Sequence, residues 1–146
     1  MPACLVGSRT RPDAAHGAAA RHPLDPAQPL YVVELGAGSG KFGFFMLRAL
    51  MELRATCPFP LDKVVYVMTD FTKQNFDFWT EHEGLREVVE RGQLDFTLSD
   101  AVQDESITLH RAGTVLRAGA LANPLCVVAY VQAWTLARAR ALARAL

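Results

Sequence analysis

The residues best placed to do chemistry lie in Glu34-Leu35-Gly36-Ala37-Gly38-Ser39-Gly40. Alternate glycines between a strand and a helix let backbone come close to a ligand. The helix start that follows favours an anion. Three nucleotide-type motifs compete for this segment. A phosphate-binding P-loop needs G-x-x-x-x-G-K-[ST]. Here Gly40-Lys41 is followed by Phe42, which has no hydroxyl for magnesium, and the spacing from Gly36 is one residue short. A dinucleotide fingerprint fits Gly38, Gly40 and Gly43, but its ribose-binding acid belongs about twenty residues on, and Asp70 lies well beyond that. The third pattern, acid-x-G-x-G-x-G, matches in full. Asp70 and Asp100 each close a further predicted strand, so three acids face one rim of the sheet.

This constellation resembles motif I and the strand-end acids of the class I S-adenosylmethionine-dependent methyltransferases. More narrowly, Pro29 to Tyr130 looks like a group of these enzymes with ELGAGSGKF in motif I and VYVMTDF at the second strand. The resemblance implies a cofactor, S-adenosyl-L-methionine, and assigns roles by position. Gly36, Ala37, Gly38 and Gly40 would admit the cofactor to the backbone, and the helix start would meet its carboxylate. Glu34 would hold the ammonium, directly or through water. Asp70 would accept from the ribose hydroxyls, with Phe71 against the adenine. Asp100 would accept from the adenine amino group, and the Ala101 N–H would meet a ring nitrogen. Tyr130, at the end of the fourth strand, is the candidate for substrate contact. The methyl acceptor is not specified.

The elements that must position these residues are legible as periodicity. Leu30–Leu35, Lys63–Asp70, Leu94–Asp100 and Pro124–Val131 are apolar runs that read as strands, and continuous runs of this kind are covered on both faces. Between the first two, Lys41 to about Ala55 has helical spacing, with Phe42, Phe45, Met46, Ala49, Leu50 and Leu53 on one face. Thr72 is an N-cap for a helix to about His82, and Leu85–Arg91 extends it to a stop at Gly92. Residues 101–121 read as one weak helix plus loop. The alternation predicts an α/β fold: a Rossmann-like doubly wound parallel sheet of about four strands, order 3-2-1-4, with helices on both faces. The resembling family carries seven strands, so the domain reads as incomplete after the fourth. That strand becomes an apolar edge and a route to self-association.

Three regions are expected: a disordered Ala/Arg/Pro-rich arm over 1–29, a cofactor-binding portion over 30–131, and an Ala/Arg/Leu-rich tail over 132–146, helical or disordered. The arm lacks the apolar core of a secretory signal, while its arginines leave organellar targeting open beside a cytoplasmic reading. The 15 basic and 15 acidic residues cancel, which argues against a nucleic-acid or anionic-lipid surface. No apolar run is long enough to span a membrane. Cys4, Cys57 and Cys126 are far apart, and His16, His22, His82 and His110 lack ligand spacing, so no metal site is expected.

Simpler roles compete. Asp70 and Asp100 can cap helices, Trp79, Phe76 and Phe78 can be the packing face and flank of a helix, and Lys41, His82 and His110 can be surface residues. Two other functions stand beside the methyltransferase reading: a non-catalytic remnant or interaction module, and a NAD-binding Rossmann domain.

Overall fold

The computed structural model describes residues 24–101, 103–117, 120–123 and 126–129. The strands are β1 (Leu30–Leu35), β2 (Val64–Asp70), β3 (Leu94–Leu98), β4 (Ile107–Thr108), β5 (Val115–Leu116) and β6 (Cys126–Ala129). The helices are α1 (Lys41–Glu52), α2 (Lys73–Glu81) and α3 (Glu83–Glu90). β1, β2 and β3 form a parallel sheet, and β6 pairs parallel to the other side of β1, giving the order β3-β2-β1-β6. Among the described residues no helix is long and apolar enough to cross a membrane.

Strand side chains alternate between the two faces of a sheet, and the alternation divides the core. On one face Tyr66, Met68, Leu94 and Phe96 pack with Leu47 of α1, Trp79 of α2 and Leu85 of α3. On the other face Val33, Leu35 and Val67 pack with Ile107, Leu109 and Leu116. That second cover is an antiparallel β4–β5 pair, where a weak helix was expected over 101–121. Two-residue strands leave almost no periodic signal, and the turn between them needs Gly113 at φ 65°. The expectation of helices on both faces is therefore corrected for the described residues: α1, α2 and α3 all lie on one face.

α1 also turns a different side to the sheet. Gly43 and Leu47 are its buried residues, with Met46 and Leu50 half-buried, whereas Phe42, Phe45, Ala49 and Leu53 are exposed. A Cβ on Gly43 would stand 2.9 Å from both Met68 Sδ and a Tyr66 ring carbon. Only a glycine lets the helix settle this close, and that contact rather than hydrophobic count sets its rotation.

Two polar residues brace the frame. Asp95 on β3 accepts from the backbone N–H groups of Arg111 (2.9 Å) and Ala112 (3.0 Å), while the His110 N–H donates to the Phe96 carbonyl at 2.9 Å. The 110–112 turn thus covers the outer edge of β3, which would otherwise offer unpaired backbone to another chain. Asn123 accepts from the Asp25 N–H at 2.7 Å and donates to the carbonyls of Asp25 and Gln28. Residues 25–29, the end of the arm expected over 1–29, are therefore held in place. Its remainder, residues 1–23, lies outside the described residues, as do Tyr130 and the 132–146 tail.

Candidate functional site

β1 ends at Leu35, and the chain turns through three left-handed glycines, Gly36 (φ 69°), Gly38 (φ 55°) and Gly40 (φ 73°), into α1. No other residue type among the described residues has positive φ, so Ala37 and Ser39 alternate in sign with the glycines. Such alternation curls successive N–H groups into a concavity suited to an anion. Gly40 is the N-cap of α1 and uses no side-chain cap. The first-turn N–H groups of a helix have no partner within it. A Cβ at Gly36 or Gly38 would meet no atom within 4 Å. The outer side of the loop is therefore open, with room for a bound group against the backbone.

Asp70 sits at the end of β2, 5% exposed. Its Oδ2 accepts from the Gly38 N–H and from Asn75 Nδ2, both at 3.0 Å, and its Oδ1 accepts from the Thr72 N–H at 2.8 Å. The carboxylate therefore supports the entry to α2 and holds the glycine loop at once. Thr72 occupies the N-cap position but makes no side-chain cap bond; Asp70 instead fixes the Thr72 backbone just ahead of the helix. A carboxylate has about four acceptor positions; three are taken, leaving room for one further donor rather than a ribose hydroxyl pair. Phe71, next in the chain, is 78% exposed. Leu98, the register partner of Asp70, is also an exposed apolar residue on this rim.

Glu34 is 3% exposed and lies on the helical face. Tyr66 Oη donates to its Oε2 at 3.0 Å, and the same oxygen lies 3.0 Å from where a Gly43 Cβ would stand. Burial pushes the Glu34 carboxyl above its ordinary value, and the Tyr66 bond opposes part of that rise. The Tyr66 hydroxyl is pushed strongly upward by its own burial and then by the Glu34 charge, so it stays a donor. The Glu34 carboxylate thus sits beneath α1 at Gly43, while its backbone carbonyl accepts from Thr69 Oγ1 at 2.9 Å.

The acids do not form one cluster. Glu34, the glycine loop and Asp70 share a continuous network. Asp100 belongs to the neighbouring turn, where its N–H and the Ser99 hydroxyl both donate to Asp104 Oδ2 (2.8 and 2.9 Å). That turn is tied to the rim by the Ser99 N–H, which donates to the Asp70 carbonyl at 2.9 Å. Ala101 packs, half-buried, against the aliphatic face. Asn75, Trp79 and Asp104 are the contributors that motif spacing does not reveal. His82 caps α3 through Nδ1, which accepts from the Gly84 N–H, and the His110 ring packs edge-on to Phe76. Phe76 and Trp79 pack inward and Phe78 is exposed, as expected for the face and flank of a helix. No group of three metal-ligating side chains occurs among the described residues.

Among the described residues, two surface depressions flank the helices. One, of about 270 Å³, runs between α2, α3 and the 110–111 turn. Another, of about 220 Å³, is lined by Phe44, Phe45 and Phe78 and touches the loop at Ser39 and Gly40. The loop chemistry is instead presented on an open shelf at the carboxyl ends of the strands, where ligands bind in parallel α/β sheets. No protein-family model matches the chain, and neither curated proteins nor solved structures give a significant match.

Proposed function

We propose that this chain is the cofactor-binding portion of an S-adenosylmethionine-dependent methyltransferase, on a Rossmann-like sheet of order 3-2-1-4. The observation that carries the reading is the open glycine shelf: three left-handed glycines at the end of β1, of which Gly36 and Gly38 are clear on their outer side, with Asp70 ending the adjacent strand and Phe71 next to it. The loop and the α1 start suit the carboxylate of an amino-acid moiety. Phe71 offers an apolar ring to a purine, and Asp70 has one acceptor position for a ribose hydroxyl. Glu34 acts on an ammonium through water, because its carboxylate is buried against Tyr66. When bound, the cofactor supplies an electrophilic methyl group, and positioning provides most of the catalysis of such an in-line transfer. Tyr130 remains the candidate for contact with the methyl acceptor.

Calorimetric titration of the full chain with S-adenosylhomocysteine tests this, with NAD and an Asp70→Ala variant as controls. Micromolar binding that is lost in the variant, with no response to NAD, is the expected outcome. Binding of NAD instead would replace the reading with a nicotinamide-dependent one. A second reading, an interaction module without catalysis, is favoured by the position of β6 at the margin of the described sheet. Concentration-dependent sedimentation without cofactor binding would support it.

A further inference from the structure

We propose that Trp79 is a positioning residue for the glycine shelf, acting as the second jaw of a clamp whose first jaw is Asp70. The inference rests on the cofactor reading for its purpose, but the clamp itself is a matter of geometry. Among the described residues, side chains grip both polar backbone groups of Gly38. Its N–H, on the Ala37–Gly38 peptide, donates to Asp70 Oδ2 at 3.0 Å. Its carbonyl, on the Gly38–Ser39 peptide, accepts from Trp79 Nε1 at 2.9 Å. Both backbone torsions of Gly38 are therefore bracketed. Glycine is the residue with most conformational freedom, and Gly38 faces open space, so packing on its outer side does not restrain it.

Trp79 is suited to the task. It is 1% exposed, lies tilted against Phe96 with ring centroids 6.0 Å apart, and cannot shift without disturbing the helical core. Its indole N–H needs a partner when buried, and the loop carbonyl is that partner. The same nitrogen would stand 3.1 Å from a Cβ on Gly40, so the loop approaches the indole at two of its glycines. Both jaws come from the β2–α2 unit, and Asn75 steadies the first by donating to Asp70 Oδ2. The shelf is in this way set by a different part of the chain from the one that carries the glycines.

The test uses the full chain, its Trp79→Phe variant, and a chain with 3-benzothienylalanine at position 79, which keeps the ring shape and lacks only the donor. Amide hydrogen exchange over residues 36–41, β2 and β3 is read alongside titration with S-adenosylhomocysteine. Removing the donor is expected to speed exchange in the loop while β2 and β3 stay protected. Affinity should fall about three- to tenfold, as for loss of one neutral hydrogen bond. Unchanged loop exchange in the benzothienyl chain overturns the proposal, as does faster exchange spread equally over loop, β2 and β3. If the unaltered chain does not bind the probe, the cofactor reading fails, and loop exchange still decides the clamp.

Discussion

The two faces of the sheet are built on different terms. On the helical face, Glu34, Tyr66 and Trp79 are buried among aliphatic groups, and their polar atoms are partnered to one another or to the glycine loop. The centre of the other face, Val33, Leu35, Val67, Ile107, Leu109 and Leu116, is hydrocarbon. Both faces are served by the same strands, residue by residue. Glu34 and Val33 are neighbours in β1, as are Tyr66 and Val67 in β2. Alternation lets one strand supply packing to one side and loop support to the other. The helical face is specified by directional contacts, whereas the centre of the aliphatic face is specified by volume, with Asp95 adding directional bonds at its margin.

Changes to volume should therefore act most strongly on the hairpin face. Leu116 is fully buried, and Leu116→Ala should cost about 2–5 kcal/mol, with the spread set by how far the site collapses. Chemical denaturation measures it. Gly43→Val probes the helical face in the opposite sense, by adding atoms where Met68 and Tyr66 already meet the helix. It should cost about 1–3 kcal/mol and move α1 away from Glu34, so a loss below that range would show the contact to be soft.

A third change separates the faces by pH. Burial raises the Glu34 carboxyl above its ordinary value of 4.5. The folded chain then binds a proton that the unfolded chain releases, so this group lowers stability as pH rises from about 4.5 through the raised value. Glu34→Gln abolishes that fall. Its melting temperature relative to the parent should rise between about pH 4 and pH 8; a constant difference would remove the buried charge from the account. The smallest effect is expected outside both cores. Phe45 is 53% exposed, and Phe45→Ser should change stability by no more than about 0.5 kcal/mol, although helical periodicity places it in the core.

Phe45 also marks where the sequence stops being informative. β1, β2 and β3 are legible because continuous apolar runs leave few other options, and the glycine loop is legible because its spacing is itself the chemistry. The side of α1 that meets the sheet is not, because the deciding residue, Gly43, has no side chain to register as hydrophobic. The hairpin that replaces the expected helix has strands too short for a period. Asp70 was readable as a rim acid, but its attachment to Gly38 depends on a fold that brings residues 32 apart in sequence together. Trp79 carries both signals of a packing residue, aromatic type and helical phase, and neither discloses that its N–H is used. Asn123 resembles any loop asparagine until the segment before β1 is laid beside it.

The Asn123 contact bears on the order in which the protein assembles. It joins residues 98 apart in sequence, and β6 must cross back past β2 and β3 to pair with β1. Closing a long chain segment costs entropy before its contacts return anything, and non-local pairings of this kind slow folding. The β1–α1–β2 and β2–α2–α3–β3 units close over shorter spans. They, and the glycine shelf with them, are therefore expected to form ahead of β6, with Asn123, ahead of β6 in the chain, fastening the segment before β1 as a late step.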